Sequence, residues 1–368
     1  MKKTKIILIG GFLGAGKTTT MIKLALHLET RGVKVALVTN DQSDELIDTQ
    51  LAKDHGLSTG EITGGCFCCK FTDLYDTFEK IILEKEPDVI IAEAVGSCTD
   101  LAATVIQPLK QYYHAEFNIS PLTIVVDPNR VINEFNVKGE INFSNTVNYI
   151  FEKQMAEADL IVLNKIDQFS EGNLNEIASF LSGRFPNTDI QLISAKNNTN
   201  IKELADFLLS TNEGGDRILD IDYDTYAQGE AELAWLNILG DLTSNNGLID
   251  PQEWTHTFIT KINAHFEKEK IAIAHLKTYL GKNKSYVKTS LVQTGETPET
   301  TSEKLAKYAE FRTVINIRCE STPNLLELIV HDALAFTNEK LGTVYNITYQ
   351  QCFSPLPPKP IHRIPAKA

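Results

Sequence analysis

The chain has 368 residues, of which 42% are apolar and 23% charged, with a formal net charge of −13. That length favours two domains over one core, and the charge argues against a nucleic-acid or anionic-membrane surface, which must be basic. No stretch approaches the ~20 apolar residues of a transmembrane helix.

Met1-Lys2-Lys3 ahead of the apolar run 6–9 reads as the approach to a first strand rather than a secretion signal, because a phosphate loop continues it. A reducing, cytoplasmic setting is the expectation that follows. The loop is Gly11-Phe12-Leu13-Gly14-Ala15-Gly16-Lys17-Thr18, a Walker A pattern between a strand and a helix. Its glycines let backbone N–H groups turn in around a phosphate, and the helix N-terminus adds partial positive charge. Gly14, Ala15, Gly16, Lys17, Thr18 and Thr19 are the candidate contacts, with Lys17 on the β/γ-phosphates and the Thr18 hydroxyl on Mg²⁺. A glycine turn that binds nothing is the competing reading, and the complete pattern in its full setting speaks against it.

Further apolar runs at 35–38, 89–92, 122–126, 160–163 and 191–193 alternate with helical patterns near 17–30, 71–85, 100–113, 148–157, 171–184 and 201–209. This predicts an α/β class: a mostly parallel, doubly wound sheet over residues 1–210, with ligands beyond the carboxyl ends of its strands. After the second strand come Asn40-Asp41, then Asp44 and Asp48, a segment able to meet Mg²⁺. Solvation of a helix start is the alternative for Asp44, Glu45 and Asp48. Gly64-Gly65-Cys66-Phe67-Cys68-Cys69 follows. Cys66, Cys68 and Cys69 are candidate ligands for Zn²⁺ or Co²⁺, and three thiols leave a position open for exchange. Buried packing fits a glycine turn poorly; oxidation chemistry is the stronger competitor.

The run 89–92 ends in Glu93, placed to hold the Mg²⁺ water shell or orient an attacking water. Lys17, Glu93 and Asp41 form the candidate catalytic set. Cys98, in Gly96-Ser97-Cys98, is a further candidate ligand. Asn164-Lys165-Ile166-Asp167 then supplies a carboxylate that accepts two hydrogen bonds from guanine, a donor pair adenine lacks, so GTP is favoured over ATP. The Lys165 stem covers the base, and Ser194-Ala195-Lys196 fits a second base-contact loop.

Residues 211–229 read as a linker and 230–354 as a second, smaller α+β domain. Strands at 231–239, 285–294, 313–318 and 344–349 and helices at 254–280 and 323–341 give a ferredoxin-like βαββαβ order. Residues 294–305 read as a polar loop, and the proline-rich tail 355–368 as extended or mobile. Cys319 and Cys352 are expected in the core. His256, His265 and His275, on the long predicted helix, do not share a face and form no site.

The chain resembles the CobW-like metallochaperone GTPases, relatives of the hydrogenase- and urease-maturation GTPases. The resemblance rests on residues 10–19, Gly65-Cys66-Phe67-Cys68-Cys69, Glu93 with Gly96, Val125-Val126-Asp127, residues 158–167 and Ser194-Ala195, and covers roughly residues 4–210. It implies GTP hydrolysis, nucleotide-linked metal binding at the thiols, a homodimer in some members, and transfer of zinc or cobalt to a client metalloprotein. Three departures stand out. The family's Asn-Glu-Phe-Gly-Glu-x-Gly-Ile-Asp segment is here Asn40-Asp41-Gln42-Ser43-Asp44-Glu45-Leu46-Ile47-Asp48, with both glycines lost. Its Glu-Thr-Ser-Gly is Glu93-Ala94-Val95-Gly96. The second domain lacks the family's usual pattern and its His-rich stretch.

Four functions compete. A GTP-switched metal carrier accounts for a thiol cluster lying between two candidate switches. A GTPase that assists a corrinoid or other metalloenzyme would dock it through the second domain without carrying free metal. A thiol redox sensor would need no metal. A P-loop kinase is disfavoured by the guanine motif and by the lack of an evident second substrate site.

Overall fold

The computed structural model describes residues 3–40, 58–62, 64–113, 117–136, 141–212, 214–244, 247–283 and 285–366. The chain divides into two units. One comprises Met1–Lys138, Asn148–Ala227 and Pro358–Ala368, the other Gly139–Val147 and Gln228–Pro357.

The first unit is built on parallel strands β1 (Thr4–Gly10), β2 (Val35–Asn40), β3 (Ser58–Ile62), β4 (Val89–Glu93), β5 (Phe117–Ile119), β6 (Thr123–Val126), β7 (Leu160–Leu163) and β8 (Asp189–Leu192). They run in the order β3-β2-β4-β1-β6-β7-β8, with β5 beside β1. β1, β2, β4, β6 and β7 are buried throughout, which is why they read as continuous apolar runs: a parallel sheet is covered on both faces. Helices α1 (Lys17–Thr30), α2 (Phe71–Lys85), α3 (Gln107–Tyr113), α4 (Pro128–Asn136), α5 (Asn145–Glu157), α6 (Glu171–Arg184), α7 (Ile201–Ser210) and α8 (Tyr223–Ala231) connect or follow the strands. α8 lies partly within the stretch expected to be linker. The sequence reading also omitted α4, β3 and β5; β3 reads Ser-Thr-Gly-Glu-Ile and carries no apolar run. None of the described helices is long and apolar enough to cross a membrane.

The second unit is an antiparallel sheet of β9 (Leu233–Thr243), β10 (Ile273–Lys282), β11 (Ser285–Leu291), β12 (Glu299–Glu303), β13 (Glu310–Glu320) and β14 (Val344–Phe353), ordered β12-β11-β10-β13-β9-β14. Trp254, Phe258, Ile262 and Phe266 of α9 (Pro251–Glu269) and Leu326, Val330 and Leu334 of α10 (Pro323–Leu341) share one core with Leu236, Ile238, Leu276 and Ile315. Two expectations are corrected here. The helix over 254–280 stops at Glu269, where Lys270 turns left-handed (φ 55) and donates its N–H to the Glu267 carbonyl. β10 follows and carries His275, whose apolar neighbours had extended the helical pattern by coincidence. The polar stretch 294–305 contains β12, a fully exposed strand held to β11 by backbone pairing and so without an apolar signature. The element order is therefore β-α-β-β-β-β-α-β rather than βαββαβ. Cys319 is buried in β13, and Cys352 is half-buried in β14.

One clasp in the first unit positions the loop after β4. Gln154 Nε2 donates to the carbonyls of Gly96 (3.0 Å) and Cys98 (2.8 Å). Glu157, at the end of α5, accepts from the Thr99 hydroxyl (3.1 Å) and the Ala102 N–H (3.0 Å). Burial raises the Glu157 carboxyl from 4.5 to about 8. Folding therefore takes up a proton between those values, and the stability contributed by the neutral carboxyl is lost as pH rises through that window. We predict that Glu157→Gln lowers or leaves unchanged the melting temperature at about pH 5.5 and raises it relative to the parent at about pH 8.5. Thermal melts across that range would show the crossover; parallel curves would contradict it.

Candidate functional site

The phosphate loop leaves the end of β1 and is pressed against β6 and β7. A Cβ on Gly11 (φ 124) would lie 2.1 Å from the Val125 carbonyl oxygen, and one on Gly16 (φ 91) 2.4 Å from Asn164 Nδ2. Both positions need glycine for space as well as conformation. Lys17 and Thr18 are buried at the head of α1. The Lys17 ammonium donates to the Phe12 carbonyl (3.3 Å), so in this state it folds back on the loop it would leave for a phosphate. The Thr18 hydroxyl donates to Glu93 Oε1 (2.9 Å). A hydroxyl and a carboxylate meeting beside a phosphate loop fit the ligand chemistry of Mg²⁺, which takes oxygen donors. Gly14, Ala15 and Thr19 complete this loop and first helical turn. Asp41 lies outside the described residues, as do Asp44, Glu45 and Asp48.

The base-reading motif is fastened to the phosphate loop through Asn164. Its Nδ2 donates to the Ala15 carbonyl (3.0 Å), and its Oδ1 accepts from the Ala195 N–H (3.0 Å). The Ser194 hydroxyl donates to Asp167 Oδ1 (2.6 Å) and accepts from the Asn197 N–H (3.1 Å). Asp167 is exposed, where a base would meet its carboxylate, and Lys196 is exposed beside it in sequence. Lys165 adopts a left-handed backbone (φ 60) and pairs with Asp127 at 2.6 Å. Asp127 had no assigned role in the sequence reading; it fixes the Lys165 stem and also accepts the Asn129 N–H (2.9 Å).

The three thiols converge. Cys66 Sγ lies 2.9 Å from Cys68 Sγ and 3.3 Å from Cys69 Sγ, with 3.8 Å between the last two. Among the described residues they form a group able to hold one metal ion, all three sulfurs lying within 4.8 Å of one another. The turn is closed by the Cys69 and Lys70 N–H groups donating to the Cys66 carbonyl (3.0 and 2.9 Å). Hydrogen bonds from Cys68, Cys69 and Cys98 hold the Cys66 thiol well below its usual range. The same contacts and burial push Cys68 up, and Cys69 to about 11. Cys98 is thus a hydrogen-bonding neighbour of Cys66 and fully buried, but lies outside the group of three.

Asn40 ties this turn to the sheet, a role the sequence reading did not find. At the end of β2, its Nδ2 donates to the carbonyls of Ile62 (3.1 Å) and Gly65 (2.7 Å), and its Oδ1 accepts the Phe67 N–H (2.9 Å). Glu93 pairs in register with Thr39 of β2 and Ile9 of β1. The thiol turn, held at the end of β2, and the phosphate loop, which leaves β1, therefore flank the tip of β4 that carries Glu93.

The family model of the CobW/HypB/UreG nucleotide-binding domain matches residues 5–186. The zinc chaperone CobW of Sinorhizobium sp is 29% identical over 220 residues, 53% of this chain and 60% of that protein. The zinc chaperone YeiR of Escherichia coli strain K12 is 29% identical over 168 residues, 45% of this chain and 47% of that protein. The chain thus spans about half of the length of these relatives. Among solved structures, HypB from Helicobacter pylori in complex with nickel is similar with a TM-score of 0.41 at 17% identity, covering 57% of this chain and 87% of that one. Zn(II)-bound YjiA GTPase from E. coli gives 0.36 at 14% identity, covering 92% and 99%.

Asn40→Ala removes two hydrogen bonds to the thiol turn and one to the end of β3 while leaving every sulfur in place. The expected result is about tenfold weaker Co²⁺ binding, the scale on which groups supporting metal ligands act. Competition with a chromophoric chelator would measure it, and an unchanged affinity would remove Asn40 from the site.

Proposed function

We infer that this chain, which belongs to the CobW/HypB/UreG family through its nucleotide-binding domain at residues 5–186, is a GTP-hydrolysing carrier. It would hold zinc or cobalt at Cys66, Cys68 and Cys69 and pass the metal to a client metalloprotein under nucleotide control. The observation that carries this reading is the hydrogen bond from Thr18 to Glu93, set one strand away from the asparagine that holds the thiol turn. Thiolates favour zinc and cobalt, and the two similar zinc chaperones favour zinc.

The residues divide the work. The Gly14–Thr19 stretch would bind the phosphates, with Lys17 turning from the Phe12 carbonyl to the β/γ-phosphates. Asp167 would accept hydrogen bonds from guanine, the Lys165 stem covering the base and Ser194 and Ala195 framing it. Glu93 and Asp41 are the carboxylates assigned to Mg²⁺ and to the attacking water, which cleaves GTP to GDP and phosphate. Thr18 Oγ1 and Glu93 would hold Mg²⁺, which would supply charge neutralisation at the phosphates. Glu93 begins the loop that ends at Cys98, so a change at Glu93 would reach the neighbour of Cys66 within five residues. Linkage then requires nucleotide to change metal affinity and metal to change nucleotide affinity by the same factor.

An anaerobic Co²⁺ titration, followed by thiolate-to-cobalt absorbance and reversed by Zn²⁺, tests the reading. It is run nucleotide-free, with Mg-GDP and with a non-hydrolysable GTP analogue. We expect a signal that Cys66/Cys68/Cys69→Ser abolishes and that shifts at least fivefold in affinity between nucleotide states. A cysteine-dependent signal indifferent to nucleotide would sink the switch. No thiolate signal would sink the carrier and leave redox sensing, for which the low-pKa Cys66 thiol beside Cys68 is suited.

Base selectivity has its own test. Asp167→Asn replaces one acceptor oxygen by a donor, matching xanthine rather than guanine. GTP affinity should fall by about 100-fold or more while XTP binding appears, because a mismatched buried polar pair costs about 1–3 kcal/mol at each group. Retained guanine preference would remove Asp167 from the base site.

A further inference from the structure

Residues 358–366 belong to none of the motifs above, yet they lie across the thiol turn as an irregular segment of the first unit. The Lys359 N–H donates to Cys69 Sγ (3.2 Å), and the Ile361 N–H to the Cys68 carbonyl (3.0 Å). His362 packs edge-on against Phe71, two residues beyond Cys69, with centroids 5.1 Å apart, and against Tyr112 at 5.3 Å. Arg363 Nε donates to Asp100 Oδ2 (2.7 Å), and its Nη2 to the Leu219 carbonyl (2.8 Å). The Ile364 N–H donates to the Ala103 carbonyl (3.0 Å), in the π-helical turn Ala102–Ile106. Of the two alternatives for this tail, extended or mobile, the segment is extended and anchored by these hydrogen bonds.

The composition explains how such a segment stays in place. Pro355, Pro357, Pro358, Pro360 and Pro365 preset an extended backbone, so less entropy is lost on ordering it. Asp100 is 1% exposed, and its carboxylate is met by Arg363 and by the Tyr223 hydroxyl (2.7 Å). A buried ion pair broken on one side leaves an uncompensated charge, which makes Arg363 a latch rather than an incidental contact.

We propose that segment 358–366 is a strap built into the metal site: the Lys359 N–H is an outer-sphere donor to the Cys69 sulfur, the Ile361 N–H steadies the Cys68 backbone, and Arg363 on Asp100 locks both in place. The proposal rests on the metal-carrier reading and deepens it. N–H donors to a ligand sulfur orient it and offset its charge. A strap lying on Cys69 also restricts approach to that sulfur, so handover to a client requires the strap to lift. Lys359 and Arg363 are positioning residues, since neither side chain is a ligand.

Two readouts on the full chain separate this from simple packing. In metal-free protein, the rate at which iodoacetamide labels Cys69 is followed by peptide mass mapping. In parallel, Co²⁺ affinity is measured by absorbance and by Zn²⁺ competition. Lys359→Pro deletes a single N–H within an already proline-rich run whose extended backbone proline accepts. It should weaken Co²⁺ by about three- to tenfold without lowering the melting temperature. Arg363→Ala should speed Cys69 labelling by about tenfold and weaken Co²⁺ by about 10- to 100-fold, with Arg363→Lys recovering part of both. Labelling and affinity within about twofold of the parent in both variants would overturn the strap; if Arg363→Ala does not fold, Lys359→Pro decides alone. A parent protein with no cysteine-dependent cobalt signal would overturn the metal-carrier reading, and the proposal that rests on it, whatever the labelling rates show.

Discussion

The hydrogen bond between the Thr18 hydroxyl and the Glu93 carboxylate is the joint on which the first unit turns. Both groups are largely buried, where a hydrogen bond to a charged acceptor is worth roughly 1.5–3 kcal/mol and where losing one partner is costly. Thr18 sits at the head of α1 and Glu93 at the tip of β4, so the bond joins the phosphate loop to the loop that runs through Cys98. The strand beside β4 is β2, whose last residue, Asn40, holds the thiol turn and the end of β3 by three hydrogen bonds. Packed strands do not stretch to absorb a change at one tip.

Features set by local backbone chemistry were legible in the sequence. Gly11 and Gly16 leave no room for a side chain, and a turn with that requirement announces itself as a glycine pattern. The Asn164–Asp167 run stands out for a similar reason, since it follows a buried strand directly and its Asn164 fastens two loops at fixed spacing. Asn40 was not legible: a single asparagine becomes a clamp only once β2, β3 and the thiol turn are assembled. Asp127 is the same case, as its partner Lys165 lies 38 residues away. The strands that escaped notice, β3, β5 and β12, are short or polar and are specified by their neighbours' hydrogen bonds rather than by an apolar rhythm. The over-long helix in the second unit shows the converse, where apolar residues of β10 fell in step with a helical repeat.

The thiol cluster has an uneven charge distribution before any metal arrives. Cys66 is held in the ionised direction by its neighbours, while Cys68 and Cys69 are held protonated. Metal ligation requires thiolates, so uptake of a divalent ion at this cluster would depend on proton activity as well as on metal.

Two buried carboxylates beneath the same loop are treated differently, and the difference bears on how the loop is controlled. Glu157 accepts from two neutral groups, the Thr99 hydroxyl and the Ala102 N–H, and burial raises it so that it holds its proton. Asp100, two residues beyond Cys98, is also raised by burial, but its carboxylate pairs with Arg363, which belongs to the strap. Protonation is internal to the fold, whereas an ion pair depends on a segment more than 260 residues away staying in position. Lifting the strap therefore exposes Cys69 and unpairs Asp100 in one movement. An unpaired, buried Asp100 carboxylate would disfavour the lifted arrangement.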